Sequence, residues 1–181
     1  HLGPSAGYVL KDQEELSQVG PALKVMDALG IQTVLVSGLQ ALLGEAVEGN
    51  NLLEKVLRPH AGRFKGYLGF NPFYADPLVK NFERYFAGPF FVGFKTLCGY
   101  WGVKMNDPRF KPMWAYANRH RLPILNHTWG KEDISLLQDV VKKYPQAHFL
   151  LGHSGGTEEG RREAEHLAQG NPNVYLEWCG S

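Results

Sequence analysis

The sequence has few cysteines and little excess charge of either sign. Only Cys98 and Cys179 occur among its 181 residues, and each follows an apolar, strand-like run. This usage favours free thiols in a reducing compartment over a disulfide-stabilised secreted domain, so we expect a cytoplasmic protein. Basic residues number 19 and acidic residues 18, a net charge of +1. Such a balance gives no reason to expect nucleic acid or an anionic membrane as a partner.

The sequence also lacks a long apolar run and a signal segment. No stretch approaches the roughly 20 apolar residues that a membrane helix needs, and no basic-then-apolar segment stands at the start. A hydrophobic content of 44% with 20% charged residues excludes general disorder. We therefore expect a globular domain, with a homo-oligomer as an open possibility.

What the chain does contain is a regular alternation of strand-like and helix-like segments. Apolar strand-like runs begin near residues 31, 64, 90, 122, 148 and 174, and amphipathic helical patterns separate them. This alternation predicts an α/β fold with parallel strands and right-handed crossovers. An open doubly wound sheet and a (β/α)8 TIM barrel both fit. Asp76-Pro77 and Asp107-Pro108 each predict a helix start, with an aspartate cap before a proline.

We expect one domain over residues 1–181. A complete barrel takes about 250 residues, so this chain corresponds to about seven of eight units, incomplete at both ends. His1 would then lie at the tip of a strand whose body precedes the chain.

Two strand-like runs end in the same way, one structural repeat apart. Leu122 to Asn126 leads into His127, and Phe149 to Gly152 leads into His153. Histidines at the carboxyl ends of parallel strands point to the edge where such folds place their chemistry. Imidazole is a good ligand for divalent metals, and three protein ligands with an open position make a catalytic site. The pattern predicts His1, His127 and His153 as ligands, with zinc first and manganese or iron as alternatives.

Other candidate residues surround this predicted site. Lys95 ends a strand and has three interpretations: a partner for a substrate anion, a carbamylated bridge between two metals, or a simple strand-end lysine. The rings of Trp129 and of its neighbours in the loops could wall a pocket for a planar substrate. The stretch from Gly99 to Asn106 is a candidate lid.

A competing motif overlaps the second histidine. Gly152 to Gly156 matches G-x-S-x-G, the nucleophile elbow of serine hydrolases, with Ser154 as the nucleophile. That motif requires an acidic residue and then a histidine later in the chain. The only histidine after Ser154 is His166, which lies on a charged, helix-like segment. The same residues could instead cradle an anion with their amides at a helix start.

Taken in order, several segments resemble the amidohydrolase-related family, whose members are metal-dependent TIM-barrel hydrolases and decarboxylases that include aminocarboxymuconate-semialdehyde decarboxylase. The segments are Gly93-Phe94-Lys95, Asp107 to Phe110, Leu122 to Thr128, His153 to Gly156 and Asn173 to Leu176. The resemblance implies that His1 is the second histidine of the His-x-His pair on the first strand. It implies that His127 and His153 are the histidines of strands five and six, and that Lys95 is the lysine of strand four. The family usually carries one metal, which disfavours a carbamylated bridge, and its strand-eight aspartate has no counterpart in this chain.

These observations predict a metal-dependent hydrolase that cleaves a C–O or C–N bond of a small organic substrate, such as a lactone or an amide. Non-oxidative decarboxylation of a small carboxylic acid is the alternative within the same family. A serine hydrolase using Ser154 and a non-catalytic barrel fragment are the remaining alternatives. In the leading hypothesis the catalytic residues are His153, as ligand or general base, and Lys95, which orients a carboxylate or carbonyl group.

Overall fold

The computed structural model describes residues 18–179, and this part of the chain divides into two compact units. The first unit comprises residues 18–70 and 76–92, and the second comprises residues 71–75 and 93–179. Each unit combines parallel strands with helices, as the alternation in the sequence predicts.

The first unit has two paired strands and a set of short to medium helices. Its elements are α1 (Val19–Ala28), β1 (Val34–Val36), α2 (Leu39–Leu43), α3 (Ala46–Leu57), β2 (Phe64–Gly69), nearly all of α4 (Ala75–Lys80) and α5 (Phe82–Phe86). β1 and β2 are parallel, with Val34 opposite Phe64. The buried core of this unit is rich in leucine and aromatic side chains, among them Leu42, Leu57, Leu68, Phe82 and Tyr85.

Helix α3 organises the first unit. The Glu45 carboxylate caps the helix by accepting from the amides of Val47 and Glu48. Gly49 permits a close approach, because a Cβ there would lie 2.2 Å from the amide nitrogen of Ala41. The buried Asn50 amide then joins the helix to β2, donating to the Gly69 carbonyl and accepting from its N–H, each at 2.9 Å. The helix is thereby fixed to the end of the strand.

The second unit is a set of parallel strands with helices between them. Its elements are β3 (Phe91–Thr96, of which Gly93 onward belongs here), α6 (Cys98–Trp101), α7 (Lys111–His120), β4 (Pro123–His127), α8 (Lys131–Lys143), β5 (His148–Gly152), α9 (Glu158–Gly170) and β6 (Val174–Leu176). β3 pairs with β4, β4 with β5 and β5 with β6, all in parallel. In the register of β4 and β5, His127 lies opposite Gly152. The two histidine-bearing strand ends are therefore neighbours at one edge.

The alternation of parallel strands and helices is confirmed over residues 18–179, where all six predicted strands are present. The count of seven units out of eight and the single domain over residues 1–181 stay predictions. His1 lies outside the described residues.

Two local predictions need correction. Asp107 does cap its helical turn, accepting from the Arg109 amide at 2.9 Å, but Asp76 lies inside α4. The chain uses an earlier Asx-Pro signal instead, because the Asn71 side chain accepts from the Phe73 amide at 3.0 Å and starts the turn there. The predicted loop from Gly99 to Asn106 begins within helix α6 and is anchored by the buried side chains of Val103 and Met105.

The thiol and membrane expectations can be compared with the described residues. Cys98 is a buried free thiol and Cys179 an exposed one. Among residues 18–179, none of the helices has the length and hydrophobicity that a bilayer span requires.

Candidate active site

The end of β4 presents His127 as the last residue of a regular strand. Its ring is half-buried, and the ring of Tyr100 meets it edge-on with centroids 5.3 Å apart. Burial is the main cause that lowers the pKa of His127 to about 4, and the charges of Lys95 and His153 act in the same direction. The imidazole is therefore neutral at neutral pH, which is the form that binds metals.

The end of β5 places its histidine differently. His153 follows the strand with a φ of 63°, and Ser154, Gly155 and Gly156 continue the run of positive φ values. Such a run is strained for the two residues that carry a Cβ. The turn brings Nε2 of His153 to 3.2 Å from Nδ1 of His127, with the two rings edge-to-face.

Contacts from the end of β6 hold this turn in place. Glu177 accepts the backbone N–H of His153 on Oε2 at 3.2 Å, and its carbonyl oxygen accepts the Ser154 hydroxyl at 2.8 Å. The same carboxylate accepts the Cys179 thiol at 2.8 Å and the Cys179 amide at 3.1 Å. Glu177 therefore braces the segment that carries His153.

The ring of His153 has a defined tautomer. Its Nδ1 lies 2.5 Å from the carbonyl oxygen of Cys179, and a carbonyl can only accept, so Nδ1 carries the proton. In the neutral ring, Nε2 then carries a lone pair directed toward His127, and in the metal-free chain it accepts the hydrogen bond from Nδ1 of His127. A backbone carbonyl that orients one ring nitrogen so that the other can bind is the usual arrangement behind a metal-ligating histidine.

The spacing of the two nitrogens tests whether they suit a divalent ion. Two imidazole nitrogens that each lie about 2.0–2.1 Å from one ion are about 2.8–3.4 Å apart at octahedral to tetrahedral angles. The observed 3.2 Å falls in this range. Within residues 18–179 no group of three or more histidine, cysteine or acidic residues is arranged to hold an ion. The described residues thus fit a metal through a two-histidine set.

Lys95 lies at the end of β3 and is only 5% exposed. Its Nζ donates to the Thr96 carbonyl at 2.7 Å, and the Thr96 hydroxyl donates to Asn126 Oδ1 at 3.1 Å. Burial lowers the pKa of Lys95 to about 8, although nearby Cys98, Cys179 and Glu177 oppose the shift. Since its charge also contributes to the lowered pKa of His127, this lysine acts electrostatically on that histidine.

Ser154 has a structural role in this geometry. Its positive φ of 45° suits an elbow, but the residue is 2% exposed and its hydroxyl is engaged with the Glu177 carbonyl. Two of the three amides in the anion-cradle interpretation, those of Gly155 and Gly156, are engaged as well. The amides of Gly155, Gly156 and Thr157 already donate to Thr128 Oγ1, the His153 carbonyl and the Gly155 carbonyl.

Exposed aromatic rings stand beside both histidines. Trp129 is 54% exposed, and its ring centroid lies 5.6 Å from that of His153. Gly156 makes room for it, because a Cβ there would lie 2.4 Å from the indole. Tyr100 occupies the matching place beside His127. The sequence places Glu177 at a strand tip together with Cys179, but that position alone assigned it no role.

The family to which the chain belongs can now be stated. The family model described as amidohydrolase matches residues 12–181, so the chain belongs to the amidohydrolase family. This confirms the resemblance noted in the sequence. No curated protein is similar enough in sequence to match the chain.

Solved structures share the fold. An uncharacterised TIM-barrel protein from Bordetella bronchiseptica matches with a TM-score of 0.71 at 18% identity, covering 95% of this chain and 63% of its own. A 5-carboxyvanillate decarboxylase from Novosphingobium aromaticivorans was solved in complex with manganese and 4-hydroxy-3-methoxy-5-nitrobenzoic acid. It matches with a TM-score of 0.66 at 19% identity, over 87% of this chain and 56% of its own. A 4-oxalomesaconate hydratase from Rhodopseudomonas palustris matches with a TM-score of 0.66 at 16% identity, over 97% of this chain and 64% of its own. The chain spans less than two thirds of each, and identities this low show the fold alone.

Proposed function

We propose that the chain serves in a metal-dependent enzyme that transforms a small organic substrate, with hydrolysis of a C–O or C–N bond as the leading reaction. One observation carries the proposal: Nε2 of His153, which carries a lone pair in the neutral ring, lies 3.2 Å from Nδ1 of the neutral His127, so a metal could replace the proton between them. Family membership supports it, because the matching family is that of the amidohydrolases.

His127 and His153 would hold the metal, with His1 as the proposed third histidine. A bound divalent ion polarises a carbonyl or carboxyl oxygen and makes water a better nucleophile near neutral pH. Zinc remains the first expectation, and manganese gains support from the solved decarboxylase that contains it. Both metals accept neutral imidazole.

The other residues would position the substrate. The Lys95 ammonium, buried at the β3 end, would orient a carboxylate or carbonyl oxygen through its charge. Trp129 and Tyr100, one beside each histidine, would limit the approach to planar groups. If His153 does not bind the ion, its Nε2 would take a proton from a group held next to His127, and the Cys179 carbonyl would stabilise the resulting cation.

Non-oxidative decarboxylation is the second candidate reaction. Two observations favour it: the solved 5-carboxyvanillate decarboxylase has the same fold and binds an aromatic acid, and Lys95 supplies a buried cation for a substrate carboxylate. Both candidate reactions use the same histidine pair, so they differ in the substrate and not in the site.

The test compares metal-depleted protein with protein reloaded with zinc or manganese. Lactones and anilides are assayed for hydrolysis, and hydroxylated benzoates for release of carbon dioxide. We expect turnover only in the reloaded protein and a loss of at least ~1,000-fold in His127→Ala, because removal of a ligand abolishes the polarising ion. His166→Ala, which removes an exposed imidazole on α9, should keep full activity. Equal turnover in depleted protein, or in His127→Ala, would contradict the proposal.

A further inference from the structure

The first unit contains a cleft whose lining residues include neither His127 nor His153. Its volume is about 510 Å³, and its lining includes Lys55, Arg58, Arg84, Glu54 and Asn51. Three of these side chains are cations and one is a carboxylate. The volume lies within the range of about 300–1,000 Å³ that is typical of small-molecule pockets.

The carboxylate in this cleft is buried and shared by two arginines. Glu54 accepts from Arg58 Nη2 on one oxygen and from Arg84 Nη1, at 3.1 Å, on the other. Its side chain is 8% exposed, whereas those of Arg58 and Arg84 are 56% and 49% exposed. The carboxylate therefore pairs with both guanidinium groups, and each arginine side chain remains about half exposed at the cleft.

Arg84 is fixed by further contacts. Its Nη2 donates to Asn51 Oδ1 at 2.6 Å, and its guanidinium lies 4.0 Å from the centre of the Tyr85 ring. The Tyr85 hydroxyl donates to the same Asn51 oxygen at 3.0 Å, so the acceptor of Arg84 is itself held. A guanidinium oriented in advance loses little conformational entropy when it binds an anion.

The cleft therefore has a surplus of positive charge that its own residues do not neutralise. Glu54 balances one guanidinium, and Lys55 takes part in none of the ion pairs found among residues 18–179. Guanidinium groups bind tetrahedral oxyanions through paired N–H donors, and lysine adds a point charge. We propose that this cleft binds a phosphate group, either free phosphate or that of a small phosphorylated molecule.

The experiment is calorimetric titration of the chain with inorganic phosphate and with glycerol 3-phosphate. Glycerol and sodium chloride at matched ionic strength serve as controls, because screening alone weakens surface electrostatics. We expect saturable binding with a stoichiometry of one for at least one phosphate ligand and none for glycerol. Tighter binding of glycerol 3-phosphate would identify an organic phosphate as the ligand, and equal affinities would identify the free ion.

Matched variants test whether phosphate binds in this cleft. Arg58→Gln and Lys55→Gln should each weaken phosphate binding by about tenfold, since each removes a charge-assisted contact. Lys142→Gln removes an exposed charge from α8 of the second unit and should leave the affinity unchanged. Circular dichroism confirms that each variant is folded. The proposal is overturned if no titration saturates, or if Lys142→Gln weakens binding as much as Arg58→Gln does.

Discussion

The ends of β4 and β5 have the same sequence pattern but hold their histidines by different means. His127 is placed by strand register, since it is the last residue of β4 and pairs opposite Gly152. His153 lies beyond its strand at positive φ and is placed by hydrogen bonds to Glu177 and Cys179. One imidazole thus depends on the sheet, and the other depends on a braced turn. A shared sequence motif therefore does not imply that the two histidines are held by the same contacts. Substitutions at several positions test this difference.

The largest effect is expected from removing either imidazole. His127→Ala and His153→Ala should each lower the affinity for zinc by more than ~100-fold, because each nitrogen would be a direct ligand. Titration against a chelating dye measures this, with His166→Ala as the imidazole control. A normal affinity in His153→Ala alone would make His153 a proton carrier and restrict the ligand role to His127.

The two strand ends should also differ in their tolerance of an added methyl group. Gly130, after β4, and Gly155, after β5, have φ values of 91° and 87°, but only Gly155 is crowded, with a Cβ position 2.4 Å from the Gly160 carbonyl. Gly130→Ala should cost about 2 kcal/mol of unfolding free energy, because a φ of 91° with a ψ of 166° is a conformation that essentially only glycine adopts. Gly155→Ala should cost about 4 kcal/mol, because overpacking adds to the cost of the positive φ. Urea denaturation measures both, and equal losses would show that the turn after β5 is not tightly packed.

Each strand end has a nearby carboxylate that accepts backbone amides, Glu177 for β5 and Asp133 for β4, and each can be replaced by its amide. Glu177→Gln cannot keep all of the contacts made by the carboxylate, so the turn that carries His153 should loosen and zinc affinity should fall about tenfold. Asp133 is the counterpart after β4, where its carboxylate accepts the Trp129 amide at 2.8 Å, but it does not hold His127. Asp133→Asn should therefore leave zinc affinity unchanged. A similar loss in both variants would mean that general loosening, and not the position of His153, is responsible.

A further effect concerns the buried charge of Lys95 on β3. The pKa of Lys95 is about 8 in the folded chain against its usual 10.5. Between these values the unfolded state binds more protons, so the stability of metal-free protein should rise with pH from 8 to 10.5. Lys95→Met removes the penalty and should stabilise the protein at pH 7 by about 2 kcal/mol. Urea denaturation at pH 7 and pH 10 tests this, and a destabilised variant at pH 7 would contradict it.

Much of the second unit could be predicted from sequence because its signals are local. Apolar runs of strand length mark β4 and β5, and parallel pairing then brings their terminal histidines together. The helix start at Asp107 is local as well, since the cap and the proline are adjacent. The start near residue 75 was misplaced because Asn71-Pro72 and Asp76-Pro77 compete, and local pattern does not decide between them.

The support of the site could not be predicted, because it depends on tertiary contacts. Glu177 reaches His153 and Ser154 only after β6 has paired with β5. The positive φ values at His153 and Ser154 have little signal in residue type, since neither is glycine. The match of Gly152 to Gly156 to the elbow motif was the signal for a sharp turn there. The cleft of the first unit is a further case, because Glu54 and Arg84 are far apart in sequence and meet only in the folded unit.

Zinc-edge X-ray absorption of the zinc-loaded chain tests the central claim most directly, because imidazole rings give a characteristic multiple-scattering signal. The account predicts at least two imidazoles bound to the ion, one fewer in His127→Ala and in His153→Ala, and no change in His166→Ala. An imidazole count that is the same in all three variants as in the unmodified chain would contradict a metal site built on the ends of β4 and β5.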